Sequence, residues 1–301
     1  MTQTRDDAMP GTGYGVAPAG YRLPAATSVG PVTLQVTDLA RSRGYYRDVL
    51  GMRELSLGEG EAELGAADGA VLVRLRARPG ARPVARAGRL GLYHFAVLLP
   101  DRGALGRFLS HLAELNMYAG MSDHLVSEAI YLRDPDGLGI EVYADRPRTD
   151  WRSDGRELAM STAPLDVDAV VAAGAGEPWT GMPAGTRMGH IHLHVGDLRQ
   201  AEAFYHAALG LDKVVWSYPG ALFLSAGGYH HHLGLNTWAA GSPPAAEYEA
   251  RLLEWELVLP DAAEVDAASA SLAAAGFEVS RDDAGVSAAD PWGTRLALRP
   301  A

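Results

Sequence analysis

Four stretches of the chain share one order of hydrophobic and polar positions. In each, a short run of β-type residues leads through an Asp into a segment whose apolar residues recur at helical spacing. The four stretches are VTLQVTDLARSRGYYRDVLGM from Val32, YHFAVLLPDRGALGRFLSHLAEL from Tyr93, HIHLHVGDLRQAEAFYHAALGL from His190 and LEWELVLPDAAEVDAASASLAAAG from Leu253. Self-similarity of this kind is typical of a duplicated supersecondary unit.

The Asp of each stretch predicts the start of a helix. Asp38, Asp101, Asp197 and Asp261 each end the strand-like run, where a carboxylate can accept from the free N–H groups of a first helical turn. After each helix come alternating or apolar runs with turn signals, which predict further strands. The sequence therefore predicts four βαβββ modules, at residues 30–79, 90–146, 188–240 and 251–300.

The modules give an α+β protein of two module pairs, residues 30–146 and 188–301. Residues 1–29 are expected to be a flexible N-terminal tail, and the Pro-, Gly- and Arg-containing residues 147–187 a linker. A period of this length also suits a ferredoxin-like protein, and the positions of the polar residues decide between the two folds.

Composition narrows the range of partners. The chain has 301 residues, 48% of them hydrophobic, no cysteine and a formal net charge of −11. The absence of a Lys/Arg cluster argues against nucleic acid and anionic membranes, and no apolar run is long enough to span a bilayer. Without thiolates, any metal must be held by His and carboxylate. We expect a cytoplasmic protein that acts on a small molecule, with the formation of a homo-oligomer left open.

A comparison of registers singles out three polar residues. The position seven residues before the Asp of each module carries Pro31, His94, His190 and Glu254. Seven residues after the Asp of the DP turn, module 2 has Glu141 in an apolar strand, whereas module 4 has Ala297. His94, His190 and Glu141 make two imidazoles and one carboxylate, the ligand set of the facial triad of non-haem Fe(II) enzymes.

The segments GLYHFAVLLP, SDHLVSEAIYLRDPDGLGIEVYADRP, MGHIHLHVGDL and GGYHHHLGLNTW resemble the vicinal-oxygen-chelate superfamily of glyoxalases, bleomycin-resistance proteins and extradiol dioxygenases. Two-domain catechol 2,3-dioxygenases are the most similar members. The resemblance implies two open barrel-like domains and Fe(II), with Mn(II) left open, bound by His94, His190 and Glu141. It also implies that His124 donates a hydrogen bond to dioxygen or a substrate oxygen, and that the Tyr131 hydroxyl lies near the catechol oxygens.

The three histidines of GGYHHHLGLNTW interrupt an apolar run that predicts a strand. The resemblance implies that His231 is an acid/base residue, although which of His230, His231 and His232 faces the metal stays open because neighbouring strand residues alternate in direction. His192 and His232 are further candidates for lining the substrate pocket.

The resemblance implies cleavage of a small aromatic diol, catechol or a substituted catechol, with O2 to a 2-hydroxymuconic semialdehyde. A hydroquinone-cleaving enzyme, a glyoxalase-like or isomerase-like metalloenzyme and a metal-free binding protein remain alternatives. In the commonest extradiol dioxygenases the last two modules supply the ligands, whereas here modules 2 and 3 carry them. We therefore expect modules 2 and 3 to form the metal-binding barrel and modules 1 and 4 to pair without a metal.

Overall fold

A computed structural model describes residues 13–85 and 88–301 of the chain. Each module is a strand, a helix and three strands, as the sequence predicts. Module 1 comprises β1 (Ser28–Val36), α1 (Leu39–Asp48), β2 (Arg53–Leu57), β3 (Glu61–Gly65) and β4 (Val71–Ala77). Module 2 comprises β5 (Gly91–Leu98), α2 (Arg102–Glu114), β6 (Gly120–Asp123), β7 (Ser127–Arg133) and β8 (Gly139–Asp145).

Between modules 2 and 3 the chain forms small elements: a 3-10 turn (Arg148–Asp150), β9 (Ser153–Asp154), β10 (Glu157–Leu158) and α3 (Val167–Ala173). Module 3 comprises β11 (Arg187–His194), α4 (Leu198–Ala201) continued by a π-helix (Glu202–Ala208), β12 (Asp212–Val215), β13 (Ala221–Ser225) and β14 (Leu233–Asn236). Module 4 comprises β15 (Arg251–Leu259), α5 (Ala262–Ala274), β16 (Val279–Asp282), β17 (Gly285–Ala289) and β18 (Arg295–Pro300).

The four strand-ending aspartates start the helices as predicted. Asp38, Asp101, Asp197 and Asp261 have extended backbones, and each side chain accepts from the N–H group three residues ahead. Each cap satisfies a donor that has no partner within the helix.

The eighteen strands of residues 13–85 and 88–301 include two curled eight-stranded sheets, which confirms the α+β class and the two-domain vicinal-oxygen-chelate fold. The first sheet has the order β16-β17-β18-β15-β1-β4-β3-β2, and the second has the order β12-β13-β14-β11-β5-β8-β7-β6. The first sheet thus combines modules 1 and 4, and the second combines modules 2 and 3. In each sheet the two leading strands pair antiparallel at the centre, and each module's last strand lies parallel to its first.

The two sheets share one hydrophobic core. β1 contacts β11 and β15 contacts β5, and buried residues of both sheets and of the helices form a continuous cluster that includes Trp255, Tyr46 and Phe95. Alternate strand residues face this core, so the residues between them face the concave side of each sheet. Within the described residues, no helix combines the length and apolar character that crossing a membrane requires.

The segment before β1 differs from the expected flexible tail. Residues 1–12 lie outside the described part of the chain, but Tyr14 and Leu23 are only 7% and 3% exposed. Arg22 forms a bidentate ion pair with Asp212 at 2.8 and 3.0 Å. Residues 13–27 therefore pack against module 3, because their apolar side chains complete its surface.

Candidate metal centre

A row of residues across the centre of the second sheet builds the candidate site. Ala96 of β5 pairs with Glu141 on one side and His190 on the other, and directly opposite residues point to the same face. The small Ala96 side chain leaves space in which the carboxylate and the imidazole approach each other. His94, two residues before Ala96 on the same face, completes the group.

The three side chains converge on one point. Glu141 Oε2 lies 3.0 Å from His94 Nε2 and 3.2 Å from His190 Nε2, and one ligand atom from each residue falls within 4.8 Å of the others. The approach of His94 Nε2 is not directed as a hydrogen bond, and this buried nitrogen has no hydrogen-bond partner among the described residues.

The chemistry of this group fits a divalent cation. All three residues are at most 5% exposed, and burial lowers the pKa of His94 and of His190, which favours the neutral imidazoles that coordinate metals. A carboxylate buried with two neutral rings needs a cationic partner. Two nitrogens and one oxygen are the donor set of a facial triad.

The three consecutive histidines do not lie in a strand, so that prediction is wrong. β14 begins at Leu233, and residues 230–232 form an irregular segment after the Gly227–Gly228 turn, where both glycines adopt a left-handed conformation. Without strand alternation, His230 and His231 are free to turn toward each other.

His231 reaches the candidate site, supported by a relay behind it. Asp145 Oδ1 lies 2.9 Å from His230 Nε2, and His230 Nδ1 lies 2.7 Å from His231 Nδ1. Because the carboxylate only accepts, neutral His230 must donate through Nε2 and accept at Nδ1 from His231. The Nε2 lone pair of His231 is then left for the cavity. Burial, and then His190 and His230, lower the pKa of His231 well below its usual value.

On the opposite side of the cavity, His124 and Tyr131 form a second pair. The Tyr131 hydroxyl lies 2.6 Å from His124 Nε2, and His124 Nδ1 lies 2.7 Å from the Ser161 carbonyl. The carbonyl can only accept, so Nδ1 carries a proton and Nε2 of the neutral ring accepts from the tyrosine. The linker backbone thus fixes the tautomer of His124.

A cavity of about 290 Å³ opens onto these groups. The end of the cavity at the candidate metal group is formed by His94, Glu141, His190, His231, His124 and Tyr131. Its distal wall is largely aromatic and apolar, with Tyr93, Met160, Tyr218, Phe223 and Trp238. Within the described residues, no Lys or Arg lines it.

The two predicted pocket histidines lie in different places. His192 lines the cavity, and its Nε2 accepts from Asn236 at 3.0 Å. His232 is not among the lining residues, and its Nδ1 accepts from the Ala226 N–H at 3.1 Å. Burial lowers the pKa of His232 to about 3, so this ring is a neutral hydrogen-bond acceptor inside the fold.

Sequence reasoning missed Asp145 and the linker residues of the wall. Asp145 lies four residues after Glu141 on the same strand, so period-two alternation could have placed it on the same face. Ser161, Met160 and Thr162 reach the cavity through long-range pairing, such as the Asp123–Ala163 bridge, which no local pattern encodes.

Comparison with known proteins gives one family. Residues 28–142 and 187–298 match the Glyoxalase/Bleomycin resistance protein/Dioxygenase superfamily. Over 269 residues the chain is 42% identical to the catechol-2,3-dioxygenase of Bacillus subtilis (strain 168), covering 88% of this chain and 94% of that protein.

Solved structures show the same fold at low sequence identity. A protein of Bacillus subtilis subsp. subtilis str. 168, described as a candidate dioxygenase, superposes with a TM-score of 0.63 at 13% identity over 93% of this chain and 86% of its own. Glyoxalase I from Zea mays gives a TM-score of 0.53 at 17% identity over 91% of this chain and 92% of its own.

Proposed function

The chain belongs to the glyoxalase/bleomycin resistance protein/dioxygenase superfamily, and we propose that it is an extradiol dioxygenase that cleaves the ring of a catechol with O2. The observation that carries the proposal is the buried convergence of His94, His190 and Glu141 on one point, beside a cavity that His231 also lines. Its 42% identity to a catechol-2,3-dioxygenase over most of both chains supports the same activity.

His94, His190 and Glu141 would hold Fe(II). Two imidazoles and one carboxylate leave positions on the ion open to other ligands. When bound, this ion would supply Lewis acidity toward the diol oxygens and electron transfer between the ring and O2. The residues of the chain would orient the ring, keep water away from the site and handle protons.

His231 is the proposed base for a diol proton. Its Nε2 is the nitrogen left to accept a proton, because Nδ1 is engaged by His230 and the ring lines the cavity. The hydrogen-bonded series Asp145–His230–His231 would stabilise the His231 imidazole after it takes up a proton. The new positive charge can be shared along two hydrogen bonds toward the Asp145 carboxylate. The same Nε2–H would return the proton to an oxygen of the cleaved ring.

His124 and Tyr131 are proposed to position the oxygens at the opposite side of the cavity. Their 2.6 Å contact can hold one proton between a phenol and an imidazole. Once Nε2 has taken up a proton from the diol, His124 would donate it in a hydrogen bond to an oxygen that gains negative charge during the reaction. The Ser161 carbonyl keeps the other nitrogen protonated in either state.

The proposed substrate is an uncharged diol, which would give a 2-hydroxymuconic semialdehyde. The distal wall offers Tyr93, Tyr218, Phe223 and Met160 but, within the described residues, no cation. Burying a carboxylate there would cost several kcal/mol without compensation, roughly 2–7 kcal/mol even for a neutral polar group. Bare or apolar-substituted catechols therefore fit better than carboxylated ones.

Oxygen uptake on the Fe(II)-loaded protein tests this function. We expect catechol to consume one O2 per ring and to yield a yellow product in equal amount. Oxygen uptake with hydroquinone but not with catechol would redirect the proposal to a para-diol. Full Fe(II) loading without turnover of either diol would overturn it.

A further inference from the structure

The concave face of the first sheet encloses a second cavity, of about 650 Å³, that the proposed chemistry does not use. Its walls carry five arginines and two glutamates: Arg74, Arg76, Arg251, Arg295, Arg299, Glu254 and Glu256. An excess of arginine over acid at the wall is the opposite of a cation site. The side chains that line the cavity therefore carry more positive than negative charge, which suits an anion better than a cation.

Three of these arginines have their charge matched by acids. Arg74 contacts Glu256 at 2.5 Å and Glu63 at 2.9 Å. Arg299 contacts Asp282 at 3.0 Å, while Glu254 lies between Arg295 and Arg299 at 3.5 and 3.6 Å. Glu254 and Glu256 thus hold arginines in place, and neither is free to bind a metal.

Arg251 differs from these three. No acid pairs with it among the described residues, although it is partly buried, and its Nε is buried without a hydrogen-bond partner. A buried N–H without an acceptor is costly, and native proteins rarely leave one so. The guanidinium as a whole lines the cavity without an acceptor or an acid among the described residues, so it is available to a ligand.

Strand pairing places a second arginine beside the same point. Gln35 of β1 pairs with Arg251 of β15 on one side and with Arg76 of β4 on the other. At about 4.8 Å between strands, the two arginine backbones lie roughly 10 Å apart on one face. Among the described residues, Arg76 pairs only with the exposed Glu61, at 3.6 Å, so most of its N–H donors are unused.

We propose that this cavity binds a small oxyanion, a carboxylate or a phosphate group, between Arg251 and Arg76. The planar fork of a guanidinium matches two oxygens of either group. Gln35 is itself fixed, because its Nε2 donates to the carbonyls of Glu247 and Glu249 at 2.7 Å. The ligand would supply acceptors for the Arg251 guanidinium, which lines the cavity and has no hydrogen-bond or ion-pair partner among the described residues.

Calorimetric titration tests the site on the full chain. Inorganic phosphate and succinate are titrated separately into the wild type, Arg251→Gln and Arg281→Gln, in chloride buffer of matched ionic strength. Arg281 is the control, because it is an exposed arginine of the same sheet, paired with Asp266 at 2.5 Å and outside the cavity wall. We expect one saturable site per chain, weakened at least about tenfold in Arg251→Gln and unchanged in Arg281→Gln.

The two anions distinguish the source of the ligand. Tighter binding of phosphate assigns the site to phosphorylated compounds, and tighter binding of succinate assigns it to carboxylates. Absence of saturable heat with either anion, or equal binding by Arg251→Gln and Arg281→Gln, would overturn the proposal. Iron loading and turnover play no part in this titration, so its outcome is independent of the proposed function.

Thermal unfolding separates binding from a structural role. Without anion, Arg251→Gln should melt no lower than the wild type, because the substitution breaks no ion pair. With phosphate or succinate, only the wild type and Arg281→Gln should gain melting temperature. Arg76→Gln provides a second variant that should lose the same gain, and an anion-dependent gain that both cavity variants keep would also contradict the site.

Discussion

The two sheets repeat one scaffold and place opposite chemistry at matching positions. In each sheet, three paired residues form a row across neighbouring strands: the last strand of one module, the first strand of that module and the first strand of the other module. The rows are Glu141, Ala96 and His190 in the second sheet, and Arg74, Thr33 and Glu254 in the first. The acid that completes the candidate metal group is thus replaced by an arginine, and the second ligand histidine by an acid.

The difference shows that the residues, and not the fold, decide what each concave face can bind. Arg74 brings a positive charge to the place where a cation would need a ligand, and its contacts with Glu63 and Glu256 consume the nearby acids. In the second sheet, the ion-pair partners of the buried Glu141 within the described residues are two imidazoles, those of His94 and His190. One face therefore suits a cation, and the other suits an anion.

The largest expected effect comes from exchanging one glutamate in each sheet for its amide. Glu141→Gln should abolish metal binding and reduce turnover to that of the metal-free protein, because the only carboxylate of the ligand group is lost. Glu254→Gln, at the position that corresponds to His190, should retain both. Metal content and oxygen uptake measured on both variants check this. Equal loss of metal in both variants would contradict the proposed difference between the two sheets.

Substitution of His231 should leave the metal but slow the reaction. His231→Gln is expected to lower kcat by about 10²–10⁴-fold, as for loss of a general base, with unchanged iron content. His232→Gln is the neighbouring control, since His232 does not line the cavity, and it should turn over near the wild-type rate. A wild-type kcat for His231→Gln would contradict the proposed role of His231 in proton transfer.

The charge of the substrate sharpens the contrast between the two cavities. 3,4-Dihydroxybenzoate should show a kcat/KM about 10²-fold below that of 3,4-dihydroxybenzamide, because only the acid buries an unpaired charge. The two compounds have nearly the same shape, so steric fit does not account for a difference. Equal kcat/KM values for the two compounds would show that a cationic side chain compensates the carboxylate at the distal wall of the cavity.

A smaller effect is expected at Asp145, behind the histidine relay. Asp145→Asn should lower kcat by about tenfold with KM unchanged, because the amide can leave His230 in the wrong tautomer. A steady-state kinetic comparison with Asp123→Asn, an acid of the same sheet outside the relay, checks this. A fall confined to KM would contradict a positioning role for Asp145.

The repeated fold could be predicted from sequence because its signals are local. Strand, Asp and amphipathic helix recur in register, and the four aspartates cap their helices as the pattern indicates. The grouping of His94 with His190 and Glu141 follows from matching registers, because side-chain direction in a strand has a strict period of two. These signals can be detected in the sequence without knowledge of the tertiary structure.

The remaining features depend on contacts between distant segments. The glycine turn before residues 230–232 ends the strand pattern and lets His230 and His231 approach each other. The Ser161 carbonyl beside His124 belongs to a linker whose path is set by pairing with β6. The unpaired Arg251 becomes visible only when the acids on neighbouring strands are located. Local patterns carry none of this information.

Anomalous diffraction at the iron edge would test the contrast between the sheets most directly. Crystals loaded with Fe(II) without oxygen should show one anomalous peak per chain, in contact with His94 Nε2, His190 Nε2 and a Glu141 carboxylate oxygen. The first sheet should show none. A peak among Arg74, Thr33 and Glu254, or the absence of one at the three predicted ligands, would contradict this account.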